Sequence, residues 1–361
     1  MSAHNSAHKT LLVMAGGTGG HIFPALAVAD ILRQQGWRVV WLGNPNGMEA
    51  KLVPARGYEC AWVQFAAVRG KGLMRKLMLP VNLLRACAAA RRVIRQVHPD
   101  VVLGMGGYIT FPGGVMARLA GVPLVVHEQN AVAGLANKVL SHIATRVLTG
   151  FPDTLPNATW VGNPVRVDIA TLPEPQERYS ARADNEPLHV LVVGGSLGAK
   201  ALNDTVPQAL ALIPADQRPQ VTHQSGAKQI DALRASYAAA GVEAMLTPFI
   251  EDTATAFAQA DLVICRAGAS TVTELAAVGA AAVYVPFPHA VDDHQTTNAR
   301  FVVDAGGGWL LPQSELTPQR LAQLLQTVTR DELLQRAQAA KALEKTEATS
   351  RIVAACEELA S

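Results

Sequence analysis

The chain has 361 residues, of which 49% are apolar and 17% charged, with a formal net charge of +2. This length suffices for two domains of ordinary size, and the composition excludes disordered and fibrous classes. No segment approaches the roughly 18 uninterrupted apolar residues of a membrane span, and the polar residues 1–9 are expected to be a frayed terminus rather than a signal peptide. The four scattered cysteines lack metal-site or disulfide spacing, which is typical of thiols in a reducing cytosol.

A glycine-rich turn follows the first predicted strand. The strand Leu11–Ala15 leads into Gly16-Gly17-Thr18-Gly19-Gly20-His21, and a helical pattern over Pro24–Gln35 comes next. A strand, a tight turn and a helix N-terminus direct unpaired N–H groups and the positive end of the helix dipole to one point, which is an anion site. The turn is not a dinucleotide fingerprint, because Ile22 stands where that pattern requires its third glycine.

The first half of the chain alternates short apolar strands with longer helical patterns, as in a parallel sheet covered by helices. Ligands of such sheets bind beyond the carboxyl ends of the strands. Three segments at predicted strand ends stand out, namely Gly104-Met105-Gly106-Gly107-Tyr108, His127-Glu128-Gln129-Asn130 and Gly162-Asn163-Pro164-Val165-Arg166. Charged and amide side chains that end a buried strand are costly unless they have a partner, so we favour function over a helix cap for His127–Asn130. Arg166 is placed to meet a phosphate.

The small net charge conceals a strong polarity along the chain. Residues 1–165 contain 16 Lys and Arg but 6 Asp and Glu, and the basic excess peaks between Arg69 and Arg95, where acidic residues are absent. Large apolar residues interleave with these charges, and such a segment can lie on an anionic membrane surface. We favour that interpretation over a solvated helix face. No aromatic residue is available there for base stacking, so no nucleic-acid partner is expected.

The second half repeats the alternation after a polar, proline-rich stretch. Residues 166–187 are predicted to link two domains, 1–165 and 188–340. The strand His189–Val193 leads into Gly194-Gly195-Ser196-Leu197-Gly198, a second glycine turn ahead of a helical pattern, and a helical region from Pro318 to Leu359 closes the chain. Two nucleotide-fold domains that face each other across a cleft predict a reaction between two phosphate-bearing partners.

The segment Arg266–Glu274 follows the predicted strand Asp261–Cys265. Its small residues allow close approach, Ser270 and Thr271 are suited to cap the next helix, and the N–H groups of that helix would hold a diphosphate. Glu274, one turn further on, is placed to accept hydrogen bonds from both hydroxyls of a ribose. The alternative is that Glu274 only completes a capping pair with Thr271.

A second polar run, Asp292-Asp293-His294-Gln295, raises the question of a metal. Adjacent residues on a helix point apart and no further acidic cluster completes a shell, so we expect no metal. Asp292 is predicted to cap a helix from which Gln295 reaches a sugar hydroxyl in the cleft.

Six segments, taken in order, carry a family resemblance. They are Gly16–His21, Gly104–Tyr108, His127–Asn130, Gly162–Arg166, Gly194–Gly198 and Arg266–Thr271. Together they resemble the MurG family of N-acetylglucosaminyltransferases over nearly the whole chain. The resemblance implies the GT-B fold, an α/β architecture of two Rossmann-like parallel-sheet domains facing across a cleft, with residues 341–361 forming a helix that packs back on the first domain.

That family transfers N-acetylglucosamine from UDP-N-acetylglucosamine to the muramic acid of lipid I, which gives lipid II for peptidoglycan synthesis. The resemblance implies an inverting hexosyltransferase without a cofactor, at the cytoplasmic face of the inner membrane, with other cell-wall enzymes as further partners. Carried over by position, the UDP-GlcNAc contacts are Thr18, Gly19, Gly20, Asn130, Arg166, Ser196, Ile250 (through its backbone to the uracil), Ala269, Ser270, Thr271, Val272, Thr273, Glu274 and Gln295. The acceptor diphosphate site is implied to contain Gly106, Gly107 and Tyr108.

Inverting transfer requires a base at the attacking 4-hydroxyl and charge stabilisation at the departing UDP. His21 is the first candidate for the base, since it ends the glycine turn and imidazole titrates near neutrality, and Glu128 is the second. Three other classes of protein fit the sequence less well. A nicotinamide oxidoreductase is disfavoured by the broken fingerprints, a UDP-N-acetylglucosamine epimerase needs no lipid-facing patch, and a membrane adaptor leaves Arg266–Glu274 unexplained.

Overall fold

The computed structural model describes residues 8–65, 78–183, 186–195 and 198–360. The chain folds into two compact units. The first runs to Pro164 and includes the segment from Thr346 onward, and the second is Val165–Lys345. Each unit is a parallel sheet covered by helices.

The first unit is built on a seven-stranded parallel sheet of order β3-β2-β1-β4-β5-β6-β7. Its strands are β1 Thr10–Met14, β2 Arg38–Gly43, β3 Glu59–Trp62, β4 Val101–Gly104, β5 Leu124–Glu128, β6 Arg146–Thr149 and β7 Thr159–Trp160. The central β1 is buried throughout, and Val13 pairs with Trp41 on one side and Leu103 on the other. The strand order reverses between β1 and β4, and parallel sheets bind ligands at such a point.

Helices cover both faces of this sheet. They are α1 Gly19–Gln34, α2 Glu49–Leu52, α3 Leu79–Val97, α4 Thr110–Leu119, α5 Leu135–Leu140 and, at the end of the chain, α15 Ala348–Leu359. Leu11 and Val13 face the core under α1 and α15, whereas Leu12 and Met14 face the core under α3, α4 and α5. Continuously apolar strands are the expected consequence of burial on both faces.

The second unit has a six-stranded parallel sheet of order β10-β9-β8-β11-β12-β13. Its strands are β8 His189–Val193, β9 Gln220–Gln224, β10 Met245–Thr247, β11 Leu262–Cys265, β12 Ala282–Tyr284 and β13 Gly308–Leu310. Its helices are α6 Val167–Ala170, α7 Pro175–Ser180, α8 Lys200–Ala211, α9 Ile230–Ala240, α10 Thr253–Gln259, α11 Ala269–Val278, α12 His294–Val303, α13 Pro318–Thr327 and α14 Arg330–Lys341. Here the order reverses between β8 and β11.

Residues 166–187, which the sequence analysis assigns to a linker, pack on the second unit over their described part. The Tyr179 hydroxyl donates to the backbone oxygen of Asp261 at 2.6 Å, and Arg178 Nη2 donates to that of Val278 at 2.7 Å. Burial raises the pKa of Tyr179 well above its usual range, so this phenol stays a donor. These contacts anchor the segment to the sheet that follows it.

Several elements differ from the sequence prediction. The strands β3, β7 and β13 were not predicted, because they are short and lack a continuous apolar run. The first helix begins at Gly19 rather than Pro24, since the Thr18 backbone oxygen accepts from the N–H groups of His21 and Ile22 at 3.1 and 3.2 Å. His21 therefore lies in the first turn of α1 and not in the loop before it.

Candidate active site

Two glycine turns meet at the switch point of the first sheet, beyond the ends of β1 and β4. The Gly16 N–H donates to the backbone oxygen of Gly106 at 3.2 Å. Gly106 and Gly107 have φ values of 103° and 92°, which favour glycine, and a Cβ on Gly107 would lie 2.4 Å from the Gly16 oxygen. Backbone packed this closely leaves no room for a side chain at position 107, and the His21 ring lies against Gly106. Tyr108, at the edge of this surface, is 40% exposed.

Glu49 supports the first turn from beneath. It is buried, and its carboxylate accepts from the Gly17 and Asn44 backbone N–H groups at 3.0 Å each. Side chains at Gly16 or Gly47 would collide with it. The sequence analysis missed Glu49, because the segment that carries it has no motif and lies some thirty residues from the turn.

His21 is joined to the end of β5 by a chain of hydrogen bonds. Its Nδ1 lies 2.8 Å from Gln129 Oε1, and Gln129 Nε2 lies 2.9 Å from His127 Nδ1. His127 Nε2 in turn lies 2.9 Å from the backbone oxygen of Gly162. His127 and Gln129 are buried, whereas His21 is partly exposed. Burial lowers the pKa of His127 to about 4, although its hydrogen bond to Gly162 and the nearby Glu128 oppose the shift.

Glu128 has a carboxylate surrounded by donors. It accepts from the Asn130 and Gly134 backbone N–H groups and from the Asn130 and Asn137 side-chain amides, at 2.8 to 3.2 Å. The residue is 2% exposed. These four contacts hold the loop between β5 and α5, and they occupy both oxygens. The arrangement favours a positioning role for Glu128 over that of a base.

The predicted donor contacts Thr18, Gly19, Gly20 and Asn130 all lie in the first unit. The first three form the N-cap and first turn of α1, and Asn130 follows β5. Arg166, in contrast, belongs to the second unit. Their assignment to the donor stays a prediction.

The second unit has a glycine turn of its own at the end of β8. Gln224, at the end of β9, accepts from the Gly194 and Gly195 backbone N–H groups at 3.1 and 3.2 Å, and it donates to the Gly195 and Pro248 oxygens. A Cβ on Gly198 would lie 1.9 Å from the Ser225 oxygen, so only glycine fits. The predicted donor contact Ser196 lies outside the described residues.

The start of α11 lies beside this turn, after β11. Its N-cap is Gly268 rather than Ser270 or Thr271, because those two residues are already helical. By helix geometry the N–H groups of Ala269, Ser270 and Thr271 have no partner within the helix, so they are available to an anion.

Two other predicted contacts on α11 have different surroundings. The Val272 side chain is fully buried and its N–H donates to the Gly268 oxygen at 3.0 Å, which leaves this residue no group for a ligand. The Thr273 hydroxyl donates back to the Ala269 oxygen at 2.9 Å. The assignment of Val272 and Thr273 to the donor stays a prediction.

Glu274 lies one turn into α11, largely buried. Its Oε1 is 3.7 Å from Arg166 Nε, across an ion pair whose arginine is about half exposed. Burial raises the pKa of Glu274 from its usual 4.5 to about 7, with Arg166 opposing the shift and Asp168 adding to it. A capping hydrogen bond to Thr271 is not found among the described contacts. The carboxylate thus stands beside the helix start with one cation as its neighbour.

Three further side chains border this end of the second sheet. Arg266 Nη1 donates to the Val285 and Pro286 oxygens at 3.1 Å, and its Nη2 donates to Gln313 Oε1, so this arginine fixes the loop after β12. Gln295 Oε1 accepts from the Phe287 N–H at 2.9 Å, and Ile250 lies in the segment without regular structure after β10.

The turn before α12 differs from the prediction. The N-cap of α12 is Asp293 and not Asp292, and both residues have left-handed φ values, near 50°. Asp293 Oδ1 accepts from the Thr296 hydroxyl at 2.7 Å. The two left-handed residues form a kink before α12, and aspartate tolerates this conformation better than most residues.

The basic segment Arg69–Arg95 is described from residue 78 onward. Its C-terminal part forms α3, where Arg85, Arg91, Arg92 and Arg95 are exposed and Leu84 is 71% exposed. Positions 69–77 of the predicted membrane segment lie outside the described residues. No helix in the described chain is long and apolar enough to cross a membrane.

Two parallel-sheet units, each with a glycine turn at its switch point, have the architecture of the GT-B class, and the family models identify the class as a glycosyltransferase. Models of the glycosyltransferase family 28 N-terminal and C-terminal domains match residues 11–149 and 189–353. The chain belongs to the MurG group of glycosyltransferase family 28.

Two full-length relatives have the same name. The UDP-N-acetylglucosamine–N-acetylmuramyl-(pentapeptide) pyrophosphoryl-undecaprenol N-acetylglucosamine transferase of Paracidovorax citrulli is 65% identical over 351 residues, which cover 97% of this chain and 98% of the relative. The protein of the same name from an Azoarcus species is 66% identical over 352 residues, 98% of each chain.

Solved structures agree on the fold. The crystal structure of Acinetobacter baumannii MurG matches with a TM-score of 0.87 and 44% identity, over 97% of this chain and 99% of that one. A glycosyltransferase of kitacinnamycin matches with a TM-score of 0.69 at 16% identity, over 98% of this chain and 99% of that one, which concerns the fold alone.

Proposed function

We propose that this protein transfers N-acetylglucosamine from UDP-N-acetylglucosamine to the 4-hydroxyl of N-acetylmuramic acid in lipid I, with inversion, to give lipid II. The observation that carries the proposal is the full-length similarity to transferases named for this donor and this acceptor, at 65 and 66% identity. An epimerase is not favoured, since these relatives are named as transferases.

The second unit binds the donor in this proposal. The free N–H groups of Ala269, Ser270 and Thr271 and the positive end of α11 hold the diphosphate, as helix N-termini do. Glu274 accepts from the ribose hydroxyls, and the Ile250 backbone meets the uracil. Arg166, beside Glu274, adds positive charge for the phosphates, and Gln295 keeps its amide Nε2 for a sugar hydroxyl.

The first unit binds the acceptor diphosphate. Gly106 and Gly107 form its backbone surface with the first glycine turn, and Tyr108 stands at the edge. Support comes from the close packing of Gly107 on Gly16, which leaves no room for a side chain at position 107.

The chemical step needs one base and one stabilised leaving group. His21 takes the proton of the 4-hydroxyl while that oxygen forms a bond to the anomeric carbon. The bond from the anomeric carbon to the diphosphate breaks on the opposite face, and its electron pair leaves with UDP. The dipole of α11 and the surrounding N–H groups stabilise the developing charge.

A membrane-facing surface completes the proposal. Exposed apolar side chains occur on three helices that pack in sequence, α3, α4 and α5. They are Met78, Val81 and Leu84 on or beside α3, Leu119 on α4, and Leu135 and Val139 on α5. Together with the exposed arginines of α3 they form a surface suited to an anionic leaflet. A nucleotide-sugar donor and four free cysteines favour the cytoplasmic face of the inner membrane.

The proposal is tested by incubation of the purified protein with radiolabelled UDP-N-acetylglucosamine and a lipid I analogue. Label is expected in the lipid product only when the acceptor is present. The same labelling is expected with and without a chelator. Binding of the donor without transfer would exclude this acceptor and leave only the nucleotide site.

A further inference from the structure

The donor and acceptor roles in the hydrogen-bond chain from Gly162 to His21 follow from the backbone oxygen of Gly162. A backbone carbonyl only accepts, so His127 Nε2, 2.9 Å from the Gly162 oxygen, carries a hydrogen and donates it. His127 is neutral at physiological pH because burial lowers its pKa to about 4. A neutral imidazole has one N–H, so His127 Nδ1 carries a lone pair.

Two acceptor atoms of His127 determine the orientation of the Gln129 amide. Gln129 Nε2 lies 2.9 Å from the His127 lone pair on Nδ1 and 3.1 Å from the His127 backbone oxygen. Both of these atoms accept, so the NH₂ group of the amide must face them. The flipped amide would bring two acceptors against its oxygen in a site where Gln129 is 2% exposed. The amide oxygen therefore faces His21.

The amide oxygen of Gln129 determines the tautomer of His21. Gln129 Oε1 only accepts, so His21 Nδ1, at 2.8 Å, carries the hydrogen. In the neutral ring the lone pair is then on Nε2, which makes no hydrogen bond to any described residue. We propose that His127 and Gln129 are positioning residues that hold His21 in the Nδ1–H form, so that Nε2 is the atom that receives the acceptor proton.

The assignment of Nε2 as the atom that receives the acceptor proton rests on the proposed function. When the 4-hydroxyl attacks the anomeric carbon, its proton passes to Nε2 and its oxygen forms the new glycosidic bond, while UDP leaves with the electron pair of the bond that breaks. His21 becomes an imidazolium whose Nδ1–H still donates to Gln129. The Gln129 dipole, with its oxygen toward the ring, stabilises that cation. The analogous task in other enzymes falls to a carboxylate, and here a neutral amide performs it.

A second buried histidine, His223, is expected to be in the other tautomer and serves as an internal reference for His21. His223, buried in the second unit, has Nε2 at 3.0 Å from Asn203 Oδ1 and Nδ1 at 3.0 Å from the Tyr237 hydroxyl. The Asn203 amide nitrogen donates to the Ser225 backbone oxygen at 3.3 Å, and that oxygen only accepts, so the Asn203 amide oxygen faces His223 and the Nε2 of His223 carries the hydrogen. His127 and His223 should therefore be Nε2–H, and His21 alone of the three Nδ1–H.

The test is ¹⁵N NMR of the histidine side chains in the full-length protein, without substrate, at pH 8. Ring nitrogens with and without hydrogen are well separated, and the His21 signals are assigned by their loss in His21→Gln. The wild type should show His21 as Nδ1–H. Gln129→Leu should move His21 toward Nε2–H, and Gln129→Glu, which keeps an acceptor at this position, should restore Nδ1–H. Tyr237→Phe, which removes a partner of His223, should alter the His223 signals and leave those of His21 unchanged.

Activity provides the second readout. In Gln129→Leu, kcat should fall at least about tenfold while the KM for the donor stays within about twofold, since a wrong tautomer removes the base and not the nucleotide site. A wild-type His21 that is Nε2–H, or one unchanged by Gln129→Leu, overturns the proposal. The spectra need no turnover, so a protein that shows the expected tautomer but transfers no sugar would refute the proposed function and leave the hydrogen-bond assignment intact.

Discussion

Gly107 leaves room for the backbone oxygen of Gly16, which would lie 2.4 Å from a Cβ at position 107. The two glycine turns thus touch through backbone alone, at the point where the strand order of the first sheet reverses. This contact explains the glycine at position 107, and it makes the shape of the proposed acceptor surface sensitive to a single methyl group.

Gly107→Ala should therefore impair acceptor use. The methyl group displaces the Gly16 backbone, and we expect kcat/KM for the lipid acceptor to fall about a hundredfold, equivalent to roughly 3 kcal/mol. Gly57→Ala is the matched control, because Gly57 has a φ of 75° with no atom within 4 Å of its Cβ position. If both variants lose activity equally, backbone strain and not the contact with Gly16 is the cause.

Replacement of Glu128 distinguishes a positioning residue from a base. Glu128→Gln keeps the shape but turns one acceptor oxygen into a donor that faces other donors, which should lower the free energy of unfolding by about 1 to 3 kcal/mol. Chemical denaturation measures this loss. A variant of unchanged stability whose kcat falls a thousandfold would make Glu128 the base.

His21→Ala should remove the base. We expect kcat to fall about 10²- to 10⁴-fold with little change in the dissociation constant of UDP-N-acetylglucosamine, measured by calorimetry. His142→Ala, an exposed histidine of the same unit, is the control and should retain wild-type kcat. A near-normal kcat in His21→Ala would eliminate His21 from proton transfer.

Donor binding should depend on pH through Glu274. Burial raises the pKa of this carboxyl to about 7, and only the ionised form accepts from two ribose hydroxyls. Since the group is protonated below pH 7, donor affinity should be about tenfold weaker at pH 6 than at pH 8. Glu274→Gln should bind weakly at both pH values, and a wild type with pH-independent affinity would place the ribose elsewhere.

The same carboxyl has a predictable effect on stability. A pKa raised in the folded state means that the folded protein holds a proton that the unfolded chain has already released, so this contribution to stability is lost between about pH 4.5 and pH 7. Glu274→Gln should therefore raise the Tm of the ligand-free protein by a few degrees at pH 8 and change it little at pH 4. Equal Tm values at pH 8 would indicate that the carboxylate is well solvated.

The exposed leucine of α3 tests the membrane surface. Leu84→Glu removes apolar area and adds a negative charge, so binding to phosphatidylglycerol vesicles should weaken about tenfold or more, since burial of a leucine side chain contributes roughly 1.5 to 3 kcal/mol. Leu212→Glu, at the end of α8 in the second unit, is similarly exposed and should bind as the wild type does. Equal losses in both variants would argue for non-specific adsorption.

The strands and glycine turns of this fold could be predicted where a local pattern of apolar residues and glycines marks them. Apolar runs such as Leu11–Ala15 and His189–Val193 reveal strands buried on both faces, and glycines that follow them mark the switch points. Pro24 was misleading, because proline is common at the start of a helix, yet here it lies inside α1. The strands β3, β7 and β13 were not predicted because they are short and lack a continuous apolar run, whereas β10, which is also an edge strand, was predicted.

Side chains that support the turns could not be predicted, because their partners are distant in sequence. Glu49 and Gln224 reach turns about thirty residues away, and Gln129 reaches His21 across 108 positions. None of the three belongs to a motif with a known spacing to its partner. The direction of the hydrogen-bond chain at His21 also depends on the Gly162 backbone oxygen, which no side-chain pattern reveals.

Transfer to lipid I is tested most directly when UDP release and lipid labelling are measured together, with purified protein, labelled UDP-N-acetylglucosamine and a lipid I analogue. We expect one labelled lipid for each UDP released, with a β-linkage to the 4-hydroxyl of muramic acid, and no UDP release without acceptor. UDP release without lipid labelling, or conversion of the donor to its epimer, would contradict it.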